Sequence, residues 1–363
     1  MNRITAARRR AAEHRRRFDA RFAAYFDGLT DPAGGALDGP QHGRFPARAL
    51  ELLRDLSLRG GKRLRVCVLN EAAGLVAEGS PPGLAEAAIS IELLQTHGLV
   101  HDDIIDGSAV RRGAPSVPQA YLDEYPDRPG TALGLAVLAG DLAAFLALRV
   151  LLTTGLPAGS AAAMAAEVSD VGASTVVGQF LDLERDFGPV PDLEFLDAVT
   201  EFKTTRYSVL TPLRLGLLAA GADPARYDGE LRRYATALGT ANMLRDDWLD
   251  LFGDPGAAGK SLGSDLRSGR RSYVLRALLN ADLDGAERRL LDGALGDPWC
   301  AEATVDRVRA IARRHGVDHS VTAEAERHAR EAAALAGSWH TRWRADAVTF
   351  FEQLPAWTVA RDH

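Results

Sequence analysis

Apolar residues recur at steps of three and four along most of the chain, as in the stretches LLQTHGLV and LRRYATALG. This spacing gathers apolar side chains on one face of an α-helix and favours buried helices over strands. Alternating β-branched runs are scarce. The pattern therefore predicts an all-α protein. Its long proline-free segments predict helices over Ala85–Asp106, Thr131–Thr154, Ala161–Phe187, Asp228–Phe252 and Ala301–His315.

Short turns rich in proline and glycine separate these segments, and none has the length of a flexible linker. Composition does not change from one half of the chain to the other. We therefore expect a basic arm or helix over residues 1–20 and one large helical domain over residues 21–363. The longest irregular segment, Phe252–Ser272, is rich in glycine and charge, so it is a candidate mobile lid rather than part of the core.

Composition narrows the choice of function. The net charge of −6 gives no bias toward nucleic acid, so no nucleic-acid partner is expected. Cys67 and Cys300 lie in no metal-site spacing, which is typical of a reduced compartment. The arginine-rich start is not followed by the apolar segment of a secretory signal. No run approaches the ~18 apolar residues of a membrane span. We expect a cytoplasmic protein without stable membrane insertion.

Three carboxylates follow an apolar run in the stretch LVHDDIIDGSAVRRG, where Asp102, Asp103 and Asp106 precede Arg111 and Arg112. Carboxylates at this density repel one another, so a cation should lie among them. The paired arginines lie too close to the carboxylates to serve only as neutralising charges. Their guanidinium groups also suit the binding of phosphate oxygens. The stretch therefore predicts a bound cation beside a bound anion.

A second triplet, Asp246, Asp247 and Asp250, has the same spacing. Residues four apart share one face of a helix, so two such helices facing each other would gather up to six carboxylates. A solvated charged face is the alternative, but both triplets interrupt otherwise apolar helices. Oxygen ligands without a histidine or cysteine pattern favour Mg²⁺, which commonly bridges carboxylates to phosphate.

Basic residues at several places complete the expected site. Lys62 and Arg65 follow two glycines in RGGKRLR, and Lys203 and Thr204 lie in FKTTR. The candidate lid adds Lys260, Arg270 and Arg271. These groups predict two anions, one bound through Mg²⁺ with Lys203 and Lys260 and one bound without metal by Lys62, Arg65 and Arg112. One diphosphate would leave during the reaction, and the other would stay attached.

Both triplets, GGKRLR, KT and GQFLD occur in this order, and together they resemble the trans-isoprenyl diphosphate synthases of the polyprenyl synthetase family. The resemblance covers roughly residues 55–275 and is greatest to bacterial geranylgeranyl diphosphate synthases. It implies a single large helical bundle around a deep central apolar cavity and a homodimer. It also implies three Mg²⁺ ions and two substrates, isopentenyl diphosphate and an allylic diphosphate.

The resemblance also implies the roles of individual residues. The metal ligands would be Asp102, Asp106, Asp246 and Asp250. The catalytic set would comprise Asp102, Asp103, Asp106, Lys203, Asp246 and Lys260. Isopentenyl diphosphate would bind Lys62, Arg65, Gln95 and Arg112, whereas the allylic diphosphate would bind Arg111, Lys203, Thr204 and Lys260. Gln179 and Asp182 match a further polar pair in the same cavity. Asn242 and Met243 depart from the family's usual Phe-Gln, and Arg270 replaces a usual lysine.

Product length would depend on the helix that carries the first triplet. The family stops chain growth with bulky aromatics four or five residues before the first aspartate, where this chain has Gly98 and His97. Leu94, one turn further down, would form a floor, which leads us to expect the C20 product geranylgeranyl diphosphate. Farnesyl or longer-chain synthesis is the alternative. An ordinary packed histidine is an equally good explanation of His97.

Two other functions compete with this one. A terpene cyclase also ionises an allylic diphosphate over Mg²⁺, but it has no second substrate and would not need GGKRLR with Gln95 and Arg112. A non-catalytic partner subunit can lose carboxylates from the triplets, whereas this chain retains all six. Both competitors are therefore disfavoured.

Overall fold

A computed structural model describes residues 3–29, 43–153, 155–254 and 262–360. Nearly all of its secondary structure is α-helical, and this confirms the predicted all-α class. The α-helices are α1 (Arg3–Leu29), α2 (Arg44–Leu58), α3 (Leu64–Val76), α4 (Leu84–Ile105), α5 (Val117–Glu124), α6 (Pro129–Leu152), α7 (Ala158–Glu184), α8 (Leu193–Val199), α9 (Thr211–Ala219), α10 (Asp228–Phe252), α11 (Ser264–Ser268), α12 (Tyr273–Leu279), α13 (Gly285–Ala294), α14 (Glu302–Arg314), α15 (Val317–Gly337) and α16 (Ala345–Val359).

Five other elements interrupt this pattern within the described residues. They are the antiparallel strands β1 (Val110–Arg111) and β2 (Ala114–Pro115), the 3₁₀ turns Pro224–Tyr227 and Ser338–Thr341, and a π-helix over Thr200–Leu210. The five long helices expected from hydrophobic spacing correspond to α4, α6, α7, α10 and α14, with ends that agree to within three residues. Hydrophobic spacing therefore located these helices correctly.

The chain forms two compact units. The first unit comprises Arg8–Asp170 and Thr211–Pro224, and the second comprises Val171–Leu210, Ala225–His363 and the initial residues through Ala7. The expected boundary at residue 20 falls inside α1, which continues without a break to Leu29. The expectation of one domain over residues 21–363 stays a prediction.

In the first unit, α4 packs against α6, and α3 packs against α9. Helix α1 is attached to α3 through Glu71, whose buried carboxylate accepts hydrogen bonds from Arg10 Nε and His14 Nε2, each at 2.8 Å. Part of the basic sequence at the start of the chain therefore serves to hold α1 in place.

Helix α6 differs from expectation in its composition. It is long and apolar enough to cross a membrane, with a mean hydropathy of 2.1 over 18 residues, so the expectation that no run reaches this threshold is wrong. The finding rests on the length and composition of the helix alone. Core helices of soluble proteins meet the same criteria. In the first unit, one face of α6 packs against α4, and small buried residues such as Ala136, Ala139 and Ala143 line that face.

In the second unit, two glycines allow close packing around the π-helix. A Cβ atom at Gly178 of α7 would lie 2.2 Å from the backbone nitrogen of Lys203, and one at Gly239 of α10 would lie 2.0 Å from Thr205 Oγ1. Neither distance is compatible with a side chain larger than hydrogen. The absence of side chains at these positions lets α7 and α10 approach the π-helix that carries Lys203.

We predict that Gly239→Ala lowers the free energy of unfolding by about 1–3 kcal/mol, because the added methyl group overpacks the contact with buried Thr205. The matched control is Gly229→Ala on the same helix, where a Cβ meets no atom of the described residues within 4 Å. The control should be neutral or stabilising by up to about 1 kcal/mol, since alanine is the better helix former. Urea unfolding measures both variants, and equal effects would contradict the packing argument.

Candidate active site

The first carboxylate triplet lies at the carboxyl end of α4, in the first unit. The backbone N–H of Asp106 donates to the Asp102 carbonyl oxygen over 2.8 Å and closes the last turn. Asp103 is buried, whereas Asp102 is partly buried and Asp106 is exposed. Arg111 contacts Asp103 Oδ1 through Nε at 2.7 Å and Nη2 at 2.5 Å. Arg111, expected on the allylic diphosphate, is therefore also an ion-pair partner of the middle carboxylate.

A tight hairpin between β1 and β2 presents the second arginine. Its two central residues, Arg112 and Gly113, have φ angles of 53° and 74°, as a type I′ turn requires. Arg112 Nη1 donates to the Gly60 carbonyl oxygen over 2.7 Å, and a Cβ at Gly61 would lie 3.3 Å from Arg112 Nη2. Arg112 therefore lies beside the glycine loop that leads to exposed Lys62.

Arg63 fixes the conformation of this loop, a role that the sequence pattern does not indicate. Its side chain is buried and binds Asp19 Oδ1 at 2.9 Å, Glu92 Oε2 at 2.5 Å and the Ser57 carbonyl oxygen at 2.6 Å. Its backbone has a φ of 49°, which residues other than glycine seldom adopt. A charge buried in this way needs these partners, so Arg63 holds the backbone between Lys62 and α3 in one conformation.

The same network reaches two further residues of the expected isopentenyl diphosphate site. Glu92 Oε1 lies 4.0 Å from Nη1 of Arg65, whose side chain is 19% exposed. Gln95 follows Glu92 by three residues on α4, so the two side chains occupy neighbouring positions on that helix. Lys62, Arg65, Gln95 and Arg112 therefore belong to adjoining segments of the first unit.

The residues expected to set product length lie on α4 ahead of the triplet. A Cβ at Gly98 would meet no atom of the described chain within 4 Å, and Leu94 is buried. His97 Nδ1 lies 3.0 Å from the Gly140 carbonyl oxygen on α6. Burial, assisted by the neighbouring His101, lowers the pKa of His97. Gly98 therefore borders open space, while the His97 ring is held against α6.

In the second unit, the π-helix places Lys203 next to the GQFLD motif of α7. Lys203 Nζ and Arg185 Nη1 each lie 2.6 Å from the Asp182 carboxylate. Burial alone would raise the pKa of Asp182, but the positive charges of Lys203, Arg185 and Arg270 outweigh it and hold that pKa below the usual range. The Nε2 atom of Gln179 is buried and lacks a hydrogen-bond partner in the part of the chain that the structure describes.

Asp250, the last carboxylate of the second triplet on α10, anchors the segment that follows it. Its Oδ1 accepts from the Ser264 backbone N–H at 3.1 Å and from the Ser264 hydroxyl at 2.5 Å. Its Oδ2 accepts from the Asp265 backbone N–H at 3.1 Å, at the start of α11. Asp247 Oδ2 accepts from the Tyr273 backbone N–H at 2.8 Å. The sequence pattern gives no sign of this structural role. Asp246, the first carboxylate of the triplet, is exposed.

Negative charge is crowded around this triplet. Burial and the neighbouring Asp265 carboxylate raise the pKa of Asp247 well above its ordinary range. Burial and the Asp250 carboxylate raise the pKa of Asp265 to about 7. A divalent cation would offset this surplus, and carboxylate oxygens are the donors that Mg²⁺ prefers. The residues present in both triplets therefore fit Mg²⁺ by their donor chemistry.

The remaining expected residues have mixed outcomes. Lys260 lies outside the described residues. Met243 packs beside the hydrophobic core of the second unit and is partly buried. The described end of the candidate lid, residues 262–272, is not a mobile loop, because Leu262 and Leu266 are buried and α11 lies within it. Arg267 holds this end in place by donating to the carbonyl oxygens of Leu262 and Cys300.

Comparison with known proteins decides the family. The model of the family described as Polyprenyl synthetase matches residues 47–311. The chain belongs to the polyprenyl synthetase family. Geranylfarnesyl diphosphate synthase of Natronomonas pharaonis is 33% identical over 63% of this chain and 68% of its own length. Geranylgeranyl diphosphate synthase of Sulfolobus acidocaldarius is 28% identical over 82% of this chain and 87% of its own length.

A solved structure agrees with this assignment over nearly the whole chain. Geranylgeranyl pyrophosphate synthase from Corynebacterium glutamicum, complexed with isoprenyl diphosphate and magnesium, is 27% identical. It has a TM-score of 0.79 and covers 99% of this chain and 98% of its own. The chain is therefore a trans-prenyl diphosphate synthase, a prenyltransferase of a family that uses isoprenyl diphosphates.

We predict that Asp265→Asn stabilises the metal-free protein most strongly above pH 7. The folded-state pKa of Asp265 is raised from 3.8 to about 7, so the protonated carboxyl favours the folded state. That contribution is fully present below pH 3.8 and is lost as the pH rises through about 7. The variant, which cannot ionise, should melt at least about 2 °C above the unsubstituted protein at higher pH.

Melting curves in a chelator across the pH range measure this difference. Asp292→Asn, which removes an exposed carboxylate from α13, is the control for the loss of one negative charge. A constant gap between Asp265→Asn and the unsubstituted protein at every pH would contradict the raised pKa.

Proposed function

We propose that this prenyltransferase uses Mg²⁺ to condense isopentenyl diphosphate with an allylic diphosphate, and that its main product is all-trans geranylgeranyl diphosphate. The contact between Arg112 and the Gly60 carbonyl oxygen carries the proposal. It brings a cation from the hairpin that follows the first triplet to the loop that carries Lys62. The first unit thus combines carboxylates suited to a metal-bound diphosphate with cations suited to a metal-free one.

Bound Mg²⁺ would stabilise the negative charge that develops on the leaving diphosphate. We propose that Asp102, Asp106, Asp246 and Asp250 hold three such ions. Asp103 positions Arg111, which would bind the allylic diphosphate. Asp182 holds Lys203 in the same way, so that its ammonium group, with Thr204, Gln179 and Lys260, can stabilise the departing oxygens.

The second substrate would bind without metal. Lys62, Arg65, Gln95 and Arg112 would hold the diphosphate of isopentenyl diphosphate, and its double bond would attack the allylic carbocation. Attack through the terminal carbon of that double bond would leave a positive charge on its other carbon. The neighbouring carbon, on the side of the diphosphate, would then lose a proton to form the new allylic double bond, and the departed diphosphate can accept that proton. Arg63 is bound by buried Glu92 and holds the loop that carries Lys62. This loop therefore needs little reorganisation when charge develops during the step.

The open space at Gly98 supports a C20 product. Its side of α4 lacks the bulk that would stop growth early, and Leu94 lies one turn further from the triplet. A helix rises 1.5 Å per residue, so a floor at Leu94 instead of His97 lengthens the space for the growing chain by about 4.5 Å. One of the two relatives is named geranylgeranyl diphosphate synthase, which agrees with this proposal, and the other is named geranylfarnesyl diphosphate synthase, whose product is one isoprene unit longer. Farnesyl or longer-chain synthesis is the alternative.

Assembly as a homodimer is part of the proposal. Helix α6 exposes three large apolar side chains at seven-residue intervals, Leu138, Phe145 and Leu152, whose exposed fractions are 65%, 71% and 59%. This spacing puts them along one stripe of the helix. A second copy of the chain would bury that stripe, which supports self-association.

We predict that Asp102→Ala lowers turnover at least about 100-fold while leaving the fold intact, because it removes a carboxylate that holds Mg²⁺ and its charge stabilisation. Asp123→Ala on α5, which removes an acid bound to Gln119 Nε2 at 2.7 Å, is the control and should retain activity. Incorporation of isopentenyl diphosphate measures turnover, and circular dichroism checks the fold. Full activity in Asp102→Ala would refute the metal-site assignment.

We predict that Gly98→Phe shortens the main product, since the aromatic ring would fill space into which the growing chain extends. Gly159→Phe is the matched control, because it lies at an exposed position near the start of α7 where a Cβ meets no described atom within 4 Å. Chromatography of the dephosphorylated products measures chain length. An unchanged product in Gly98→Phe, with activity retained, would show that this face of α4 does not line the product path.

A further inference from the structure

Two histidines and an aspartate come together on the side of α4 that packs against α6. His97 and His101 are one helical turn apart on α4, and Asp141 lies on α6. One ligand atom from each residue lies within 4.8 Å of the other two, and all three side chains are partly buried. Neither of the carboxylate triplets contributes to this cluster.

The distances within the cluster suit a shared ion. His101 Nε2 lies 3.3 Å from Asp141 Oδ1, yet this nitrogen is buried and makes no hydrogen bond within the described ranges. Two ligand atoms bound to one tetrahedral metal at 2.0–2.1 Å are separated by about 3.3–3.4 Å. The spacing between nitrogen and oxygen is therefore that of two ligands of one ion.

The hydrogen bond of His97 leaves its other ring nitrogen able to act as a ligand. The Nδ1 atom of His97 contacts the Gly140 carbonyl oxygen at 3.0 Å. A carbonyl oxygen only accepts, so Nδ1 carries the proton and the lone pair of the neutral ring is on Nε2. Metal-bound histidines commonly donate their other ring nitrogen to a backbone carbonyl in this way, because the hydrogen bond fixes the tautomer and the ring.

Gly140 also creates the space for His101. A Cβ at Gly140 would lie 2.5 Å from both Cδ2 and Nε2 of the His101 ring. Only glycine lets the imidazole lie directly against the α6 backbone, next to Asp141. The glycine therefore contributes twice, through its carbonyl oxygen to His97 and through its missing side chain to His101.

We propose that His97, His101 and Asp141 form a binding site for a divalent transition ion of the zinc class, separate from the Mg²⁺ ligands and linking α4 to α6. Imidazole nitrogens favour Zn²⁺ and its neighbours, whereas Mg²⁺ favours oxygen donors. Three protein ligands leave the fourth position of a tetrahedral ion to water. The ion would cross-link two packed helices and stabilise the folded first unit.

Equilibrium dialysis of the purified full-length chain against Zn²⁺, with excess Mg²⁺ to occupy the carboxylate triplets, tests the site. The unsubstituted protein should bind one Zn²⁺ per chain, and Zn²⁺ should raise its melting temperature. His97→Asn should weaken this binding at least about 10-fold, since loss of a ligand should cost no less than loss of a supporting group. Asp141→Asn should act in the same direction.

Two controls make the test decisive. His319→Asn removes a histidine whose side chain is 90% exposed, and it should bind Zn²⁺ like the unsubstituted chain. Asp102→Asn changes the first triplet and should also retain the site. Equal Zn²⁺ binding by the unsubstituted protein and by folded His97→Asn would overturn the proposal. Loss of Zn²⁺ in Asp102→Asn but not in His97→Asn would overturn it too, because the ion would then occupy the triplet.

Discussion

Repulsion between neighbouring carboxylates is the constraint on which the arrangement at the ends of α4 and α10 depends. In the first unit, Arg111 offsets the charge of buried Asp103 through two contacts to one oxygen. In the second unit, backbone N–H groups of the following segment bind Asp247 and Asp250. In each triplet, the carboxylates are bound by groups of the segment that follows, and these contacts fix the conformation of that segment. The charge that remains is suited to divalent cations.

Carboxylates likewise hold the basic side chains of the site in fixed positions. Lys203 does not extend freely from the π-helix, because Asp182 binds it at 2.6 Å. Arg63 is buried behind the glycine loop and is bound by Asp19 and Glu92, so the backbone that presents Lys62 has little freedom. Groups that are prepositioned for an anion need less rearrangement when charge develops on it. Buried partners of charged residues therefore connect helix packing in each unit to the chemistry that the family performs.

Much of this could be predicted from sequence because the signals were periodic or local. Hydrophobic spacing located the long helices, and the order of the motifs identified the family. The roles of Arg63 and Asp250 could not be predicted, since their partners are far away along the chain or are backbone groups. The π-helix was also missed, because its close packing depends on Gly178 and Gly239, which are neighbours of Lys203 and Thr205 only in the folded chain. The expectation of a mobile lid is wrong at residues 262–272. This segment is rich in glycine and charge, yet it contains a short helix with a buried leucine.

Product analysis of the purified, unsubstituted protein would test whether it is a Mg²⁺-dependent synthase of a C20 product. The protein would be given Mg²⁺, isopentenyl diphosphate and, in separate reactions, allylic starters of five, ten and fifteen carbons. We expect elongation of the starters to a dominant C20 product and no elongation when a chelator removes Mg²⁺. Absence of elongation from every starter, or undiminished elongation without divalent metal, would contradict this expectation.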